Sequence, residues 1–284
     1  MATTQPVRAE SAEHPGRTRL LPTRSSEFVY SVFALIVSII VVHAVYVLHV
    51  RPQAQAIMQQ QRAAMLEDPN YVAERSLYVV LKDYEQEAEI ILMLWALAIL
   101  AFRAREQRLE RRVLDADPLK LPEGMKILPE DTREYARLIE ALPPRERECL
   151  VPRALLAALA RFGATRNVQD VSAVAHGVCQ SEADRLDSEL SMLRYIAWAI
   201  PAIGFIGTVR GIGDALSQAH KAVGGDISGV TEGLGVAFNS TLVALLLSIL
   251  LMFMLQALQR TQERLVLDAE TYLDQRVIRN MQAR

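Results

Sequence analysis

The chain has 284 residues, 51% of them hydrophobic, and its 31 basic and 33 acidic residues leave a formal net charge of −2. This balance gives no indication of a nucleic-acid partner, which would favour a strongly basic surface. The apolar residues lie in a few long stretches, a distribution typical of a membrane protein. Since no strand-like alternation stands out, the sequence predicts an all-α membrane protein with four transmembrane helices and long cytoplasmic helical extensions.

The first predicted transmembrane helix comprises residues 28–50. This stretch of 23 residues has no Asp, Glu, Lys or Arg and can cross about 30 Å of hydrocarbon. Residues 1–27 before it are polar with scattered Pro and Gly, and we expect a disordered cytoplasmic tail. Ala54-Gln55-Ala56 resembles a signal-peptide cleavage site, but the apolar stretch exceeds the ~7–15 residues of a signal-peptide core, so we expect a retained anchor.

The second span is predicted at residues 89–103. Its apolar run, 90–102, has only 13 residues, a length that also suits a buried or interfacial helix. A group of arginines follows directly, which indicates the cytoplasmic side: Arg103, Arg105, Arg108, Arg111 and Arg112. Because the N-terminal tail is basic too, an even number of crossings must precede residue 103. Residues 51–88 are therefore predicted to form a periplasmic connection, broken at Asp68-Pro69-Asn70.

From Asn167, a candidate N-cap, apolar residues keep a helical spacing that continues into the third span. We therefore expect one long helix that begins in the cytoplasm and crosses the membrane. The remaining predicted segments are a cytoplasmic helical region at 104–191, a third span at 192–214, a short periplasmic loop at 215–232, a fourth span at 233–258 and a cytoplasmic amphipathic helix at 259–284. Cys149 and Cys179 fall in the cytoplasmic region, where we expect reduced thiols without a disulfide or metal role.

The third span contains PAIGFIGTVRGIG at residues 201–213. Neither a GxGxxG fingerprint nor a GxxxxGK[ST] phosphate loop is present, so the glycines do not indicate a nucleotide site. In a bilayer, small residues allow helix backbones to approach closely. We therefore expect helix packing or gating from Pro201, Gly204, Gly207 and Gly211. Packing inside a single subunit explains the glycines equally well.

Hydroxyl side chains recur on the third and fourth spans. At about 100° per residue, Thr208 shares a face with Pro201, Gly204 and Gly211. On the fourth span, Ala237, Thr241 and Ser248 share a face, while Asn239 and Ser240 point elsewhere. Two adjacent hydroxylated faces could line a polar path through the membrane. The alternative is that these hydroxyls bond their own helix backbone.

Two arginines lie in the third span. Arg194 projects to the same face as Thr208, whereas Arg210 lies on the opposite side near the outer end of the helix. Snorkelling to the membrane surface is the favoured explanation for Arg210, and a contact between subunits is the alternative. The secondary candidates for functional sites are Arg194, Arg210, Asn239 and Ser248.

These segments resemble the MotA/TolQ/ExbB proton channel family. PAIGFIGTVRGI is similar to the third-helix signature of that family, and VAFNSTLVAL at 236–245 is similar to its last-helix motif. The resemblance covers about residues 185–260. Four spans and the VAFxxTL pattern resemble the MotA-like stator branch, while the GTV string resembles the ExbB and TolQ branch. Arg210 stands where the latter branch usually has Trp, and Val236 where it has an acidic residue.

The resemblance implies a ring-forming subunit of the bacterial inner membrane with both termini in the cytoplasm. It implies a homopentamer around a dimer of a single-span partner of the MotB/TolR/ExbD kind, whose membrane Asp carries the proton. Thr208 and Thr241 match the family positions that face this Asp, so we expect them to line the ion path. H⁺ is favoured over Na⁺ as the transported ion, and no cofactor or metal is expected.

The predicted spans contain no Asp or Glu between their ends, and His43 is the one titratable group in mid-membrane with a pKa suited to proton transfer, without an evident partner. The partner would therefore supply the carboxylate. A non-conducting membrane scaffold or sensor is the alternative function. An enzyme is not supported, because no nucleophile–base pair, metal-ligand spacing or phosphate loop is visible. Flagellar rotation, outer-membrane energising, gliding and phage defence all stay open as the driven process.

Overall fold

The computed structural model describes residues 23–67, 74–122 and 124–282. These residues are almost entirely helical, and the one β contact among them is an isolated parallel bridge between Ile127 and Met281. Most of the predicted tail, residues 1–22, lies outside the described residues. The α-helices are α1 (Thr23–Val45), α2 (Arg51–Glu67), α3 (Leu77–Leu81), α4 (Tyr84–Asp115), α5 (Thr132–Glu140), α6 (Pro144–Arg147), α7 (Leu150–Thr165), α8 (Val168–Glu189), α9 (Ser191–Ser217), α10 (Ala219–Val223) and α11 (Ser228–Tyr272).

The first membrane helix continues well beyond its predicted end. A π-helical turn at Tyr46–Val50 joins α1 to α2, so that one helix runs as far as Glu67. The α2 sequence is rich in Gln, Ala and Met, which are good helix formers. Asp68-Pro69-Asn70, where the sequence predicts a break, lies outside the described residues.

Helix α4 lies antiparallel to α1. Near one end of the pair, the indole of Trp95 donates to the backbone oxygen of Ser31 at 2.9 Å, and near the other end His43 contacts Glu87. The helix begins at Tyr84, about one turn before the predicted start of the second span. This extra turn brings a group of acidic residues into the bundle.

The expected long helix from the cytoplasm into the third span is present as two helices. Asn167 caps α8 as predicted, since its side chain accepts a hydrogen bond from the backbone N–H of Gln169 at 3.0 Å. Leu190 then separates α8 from α9. The fourth span is part of α11, which has 45 residues and continues without a break far beyond residue 258.

Two main apolar clusters hold the bundle together. The first joins α4, α9 and α11 and includes the fully buried side chains of Ile196, Ile200 and Leu251. The second joins α7 and α8 to the far end of α11 and has Phe162 at its centre. The C-terminal segment closes this second cluster, because the backbone N–H of Ile127 donates to the oxygen of Asn280 at 2.8 Å.

Three helical stretches among the described residues are long and apolar enough to cross a membrane, each counted across the short turns inside it. They are Phe28–Met65 in α1 and α2, Val168–Ser217 in α8 and α9, and Ser228–Asn280, which begins with α11. Helix α4, which contains the predicted second span, is not one of them. Large apolar side chains on these three helices are exposed, among them Phe205, Phe238, Ile249 and Phe253. Such a surface is stable against lipid and not against water, so the chain is a membrane protein.

Candidate functional site

Helices α9 and α11 approach each other most closely at Gly211 and Gly233. A Cβ atom added to Gly211 would lie 2.5 Å from the backbone nitrogen of Ala237 and 2.5 Å from the oxygen of Gly233. A Cβ on Gly233 would in turn lie 2.6 Å from the backbone nitrogen of Ala215. No side chain fits between the two backbones, so Gly211 serves helix packing within one chain.

Gly204 and Gly207 continue this contact along α9. A Cβ on Gly204 would overlap the Cβ of Ala244, and one on Gly207 would lie 2.5 Å from the hydroxyl of Ser240. All three predicted glycines are therefore buried against α11. Pro201 is half-buried inside α9, and the helix continues through it from Ser191 to Ser217.

The structure brings Thr208 and Thr241 together at this contact. Their hydroxyls are hydrogen-bonded to each other, and both are half-buried. Each hydroxyl also contacts the backbone oxygen of Gly204, at 3.2 Å and 3.3 Å respectively. Thr208 is in addition 3.2 Å from the oxygen of Ala237. A hydroxyl both donates and accepts, so this pair can interact with a carboxylate and with a carboxylic acid.

Two other hydroxyls of α11, those of Ser240 and Ser248, contact backbone oxygens of α9. Ser240, which the sequence places on a different face from Thr241, is fully buried and donates to the oxygens of Ala237 at 3.1 Å and Gly204 at 3.3 Å. Ser248 donates to the backbone oxygen of Ala197 in α9 at 3.1 Å. Asn239 is half-buried, and among the described residues it takes no part in this network.

Arg210 forms an ion pair within its own chain. Its Nε and Nη2 atoms each donate to a carboxylate oxygen of Glu85 in α4, both at 2.7 Å. The sequence predicts snorkelling, with a subunit contact as the alternative, and does not predict this ion pair, which forms because α4 begins early enough to place a carboxylate beside α9. The Arg210 side chain is 41% exposed and that of Glu85 only 10%.

Arg194 does not join the hydroxyl face. Its guanidinium pairs with Asp187 of α8, near the start of α9. The arginine thus links the two helices that Leu190 separates, and it contributes no charge to the contact between α9 and α11.

His43 has a partner that sequence reasoning missed. Its Nδ1 atom lies 2.7 Å from Glu87, which also pairs with Arg51, and the Glu87 side chain is 8% exposed. The prediction of an unpartnered histidine is wrong because the EQEAEI string at the start of α4 turns three glutamates into the bundle. Glu85, Glu87 and Glu89 are all buried. Glutamates are rarely buried without partners, so the sequence contains no signal for their burial here.

The two cysteines lie in α8 and just before α7 as free, buried thiols. Burial, followed by the nearby charge of Glu110, raises the pKa of Cys149 to about 12. Burial likewise raises the pKa of Cys179 to about 11. Within the part of the chain that the structure describes, no group of His, Cys, Asp or Glu side chains could hold a metal ion.

The described residues thus form an all-helical membrane bundle with a close glycine contact and a half-buried hydroxyl pair, which places the chain in the class of multi-span helical membrane proteins. The model of the MotA/TolQ/ExbB proton channel family matches residues 150–271. This segment of the chain is therefore similar to that family. It runs from the start of α7 almost to the end of α11 and contains both Thr208 and Thr241. A search of curated proteins finds no match to the chain.

Proposed function

We propose that this chain is the ring-forming inner-membrane subunit of a proton channel that converts the proton motive force into mechanical work. The observation that carries the proposal is the hydrogen-bonded pair of Thr208 and Thr241, which lies inside the family-matched segment. A single-span partner would supply the Asp that takes the proton. H⁺ is the transported ion, with Na⁺ less favoured, and no cofactor takes part.

Four membrane spans with both termini in the cytoplasm are part of this proposal. Helix α4 supports it, because its apolar run lies beside the apolar part of α1. Its residues Met93, Ala96, Ile99 and Leu100 are buried against α9 and α11. A helix shielded by its neighbours needs less lipid-facing apolar surface than an outer span. The low hydropathy of α4 is therefore compatible with crossing the membrane.

The ring assembly is supported by the free face of α9. This helix buries its glycines against α11, while Phe205, Ile206, Val209 and Ile212 are 43–67% exposed. Apolar side chains on a helix that carries the hydroxyl pair suit contact with another membrane helix as well as with lipid. We assign this face to neighbouring subunits and to the central partner, as a homopentamer around a partner dimer.

The hydroxyl pair has the chemistry that a moving proton requires. A charged carboxylate in the membrane costs about 2.5–3.5 kcal/mol on insertion scales. The hydroxyls of Thr208 and Thr241 would donate to the partner's Asp when it is charged and accept from it when it is protonated. The difference in free energy between the two forms is thereby reduced, and protonation, which removes the charge, would permit a small movement of ring against partner.

The test is to replace each hydroxyl by a methyl group of similar size. We expect Thr208→Val and Thr241→Val to leave assembly intact and to lower proton flux into vesicles by about tenfold or more, the equivalent of ~1.4 kcal/mol. The matched control is Thr271→Val, because Thr271 is exposed in the same helix and bonds only its own backbone. Normal flux in both site variants would favour a non-conducting scaffold or sensor, in which the glycine contact only packs helices.

A further inference from the structure

Glu89 differs from the two other buried glutamates of α4. Glu85 is neutralised by Arg210, and Glu87 by Arg51, with His43 also in contact with Glu87. Glu89 is fully buried, and among the described residues neither of its carboxylate oxygens has a hydrogen-bond partner. One carboxyl group thus lies inside the bundle without a countercharge.

The surroundings of Glu89 are polar but offer no positive charge. On α4 the fully buried amide of Gln86 has both polar atoms without a partner in the described structure. On the helix that follows α1, the hydroxyl of Tyr46 is likewise buried without a partner and lies within electrostatic range of Glu89. The charged group that faces Glu89 along its own helix is Glu85, whose negative charge disfavours a second carboxylate nearby.

Glu89 and the Thr208–Thr241 pair also lie at the same level along α9, around Gly204. A Cβ on Gly204 would be 3.4 Å from Oε1 of Glu89, so the carboxyl group packs directly on this glycine. The backbone oxygen of the same residue lies 3.2 Å from the hydroxyl of Thr208 and 3.3 Å from that of Thr241, so it can accept from either of them. The facing part of α11 presents Ser240 and Ala244, which carry no charge. The nearest cationic side chain on α9, Arg210, is already bound to Glu85.

A buried carboxylate without a partner costs several kcal/mol, and a protein normally avoids this cost by neutralising the group. The smallest cation that can do so is a proton, which adds to one carboxylate oxygen and needs no further ligands. Buried amide and phenol groups of the kind found here can accept from or donate to such an acid.

We propose that Glu89 is a proton-binding residue of this chain, which takes up and releases the transported proton beside the Thr208–Thr241 pair. This proposal rests on the proposed function and adds to it a carboxyl group that belongs to the ring subunit. The step is protonation of one carboxylate oxygen and its reversal, with no other bond made or broken.

The test compares Glu89→Gln, which keeps the shape but cannot exchange a proton, with Glu106→Gln on the same helix. Glu106 is the matched control because its side chain is 52% exposed. Infrared spectra of the reconstituted complex should show a carboxylic-acid carbonyl band at neutral pH in the wild type and in Glu106→Gln. The component of this band that belongs to Glu89 should be missing from the spectrum of Glu89→Gln, while any component from the partner's Asp stays, and of these two variants only Glu89→Gln should lower proton flux, at least tenfold. If Glu89→Gln does not assemble, Glu89→Asp should shift the frequency of the band.

Several results would overturn the proposal. Identical bands in the wild type and Glu89→Gln would show that Glu89 carries no proton. A band lost when Na⁺ is added at constant pH would assign the site to Na⁺. Wild-type flux in Glu89→Gln, together with lost flux in Thr208→Val, would reject this proposal and leave the proposed function standing. Absence of flux in the wild-type complex would reject the proposed function, and the infrared band would then decide on Glu89 alone.

Discussion

Gly211→Ala should destabilise the bundle although alanine is the better helix former. The added Cβ would meet two backbone atoms, the nitrogen of Ala237 and the oxygen of Gly233, each at 2.5 Å. Backbone atoms cannot rotate away, so the two helices would have to separate. Overpacking of this kind costs about 1–3 kcal/mol.

Gly213→Ala is the matched control, because a Cβ at Gly213 would meet nothing within 4 Å. Both variants gain about 0.8–1 kcal/mol of helix propensity relative to glycine. This gain cancels in the comparison, so the difference between them isolates the packing cost, roughly 1–3 kcal/mol. Denaturant unfolding in detergent, followed by helical circular dichroism on the same oligomeric form, measures it. Equal stability of the two variants would refute the close contact between α9 and α11.

Two further predictions concern groups with defined partners. Glu85→Gln and Arg210→Gln should show a coupling of about 1 kcal/mol in a double-mutant cycle of unfolding, since the pair is bidentate but Arg210 is partly exposed. Additive effects would mean that the pair contributes no coupling energy. Cys149 and Cys179 should react with thiol reagents far more slowly at pH 8 in the folded protein than in denaturant, because burial raises the pKa of each. Rapid labelling of the folded chain would contradict their burial.

Much of the fold could be predicted from the sequence, because it follows from patterns within short segments of the chain. The glycines, the threonines and the cap at Asn167 each follow a spacing that is visible in one segment of the chain. The family resemblance, based on about residues 185–260, is confirmed by the match over residues 150–271. The helical character of nearly all described residues is confirmed as well.

The charged groups of the membrane bundle could not be predicted in the same way. Burial of Glu85 and Glu87 is stable because cations on other helices, Arg210 and Arg51, lie beside them. Such pairs join residues up to 125 positions apart, and helical periodicity contains no information about them. When their partners are not known, glutamates before an apolar run are expected to be exposed to solvent. The sequence therefore predicts neither the start of α4 at Tyr84 nor the partner of His43.

The composition of the complex in native membranes tests the central claim most directly. The measurement is native mass spectrometry after gentle extraction of the tagged chain. Our account predicts a ring of this chain, a pentamer, that holds a substoichiometric single-span protein with an Asp in its membrane helix. Preparations that repeatedly contain this chain and no Asp-bearing partner would contradict the account, since the proposed channel would then lack its principal proton carrier.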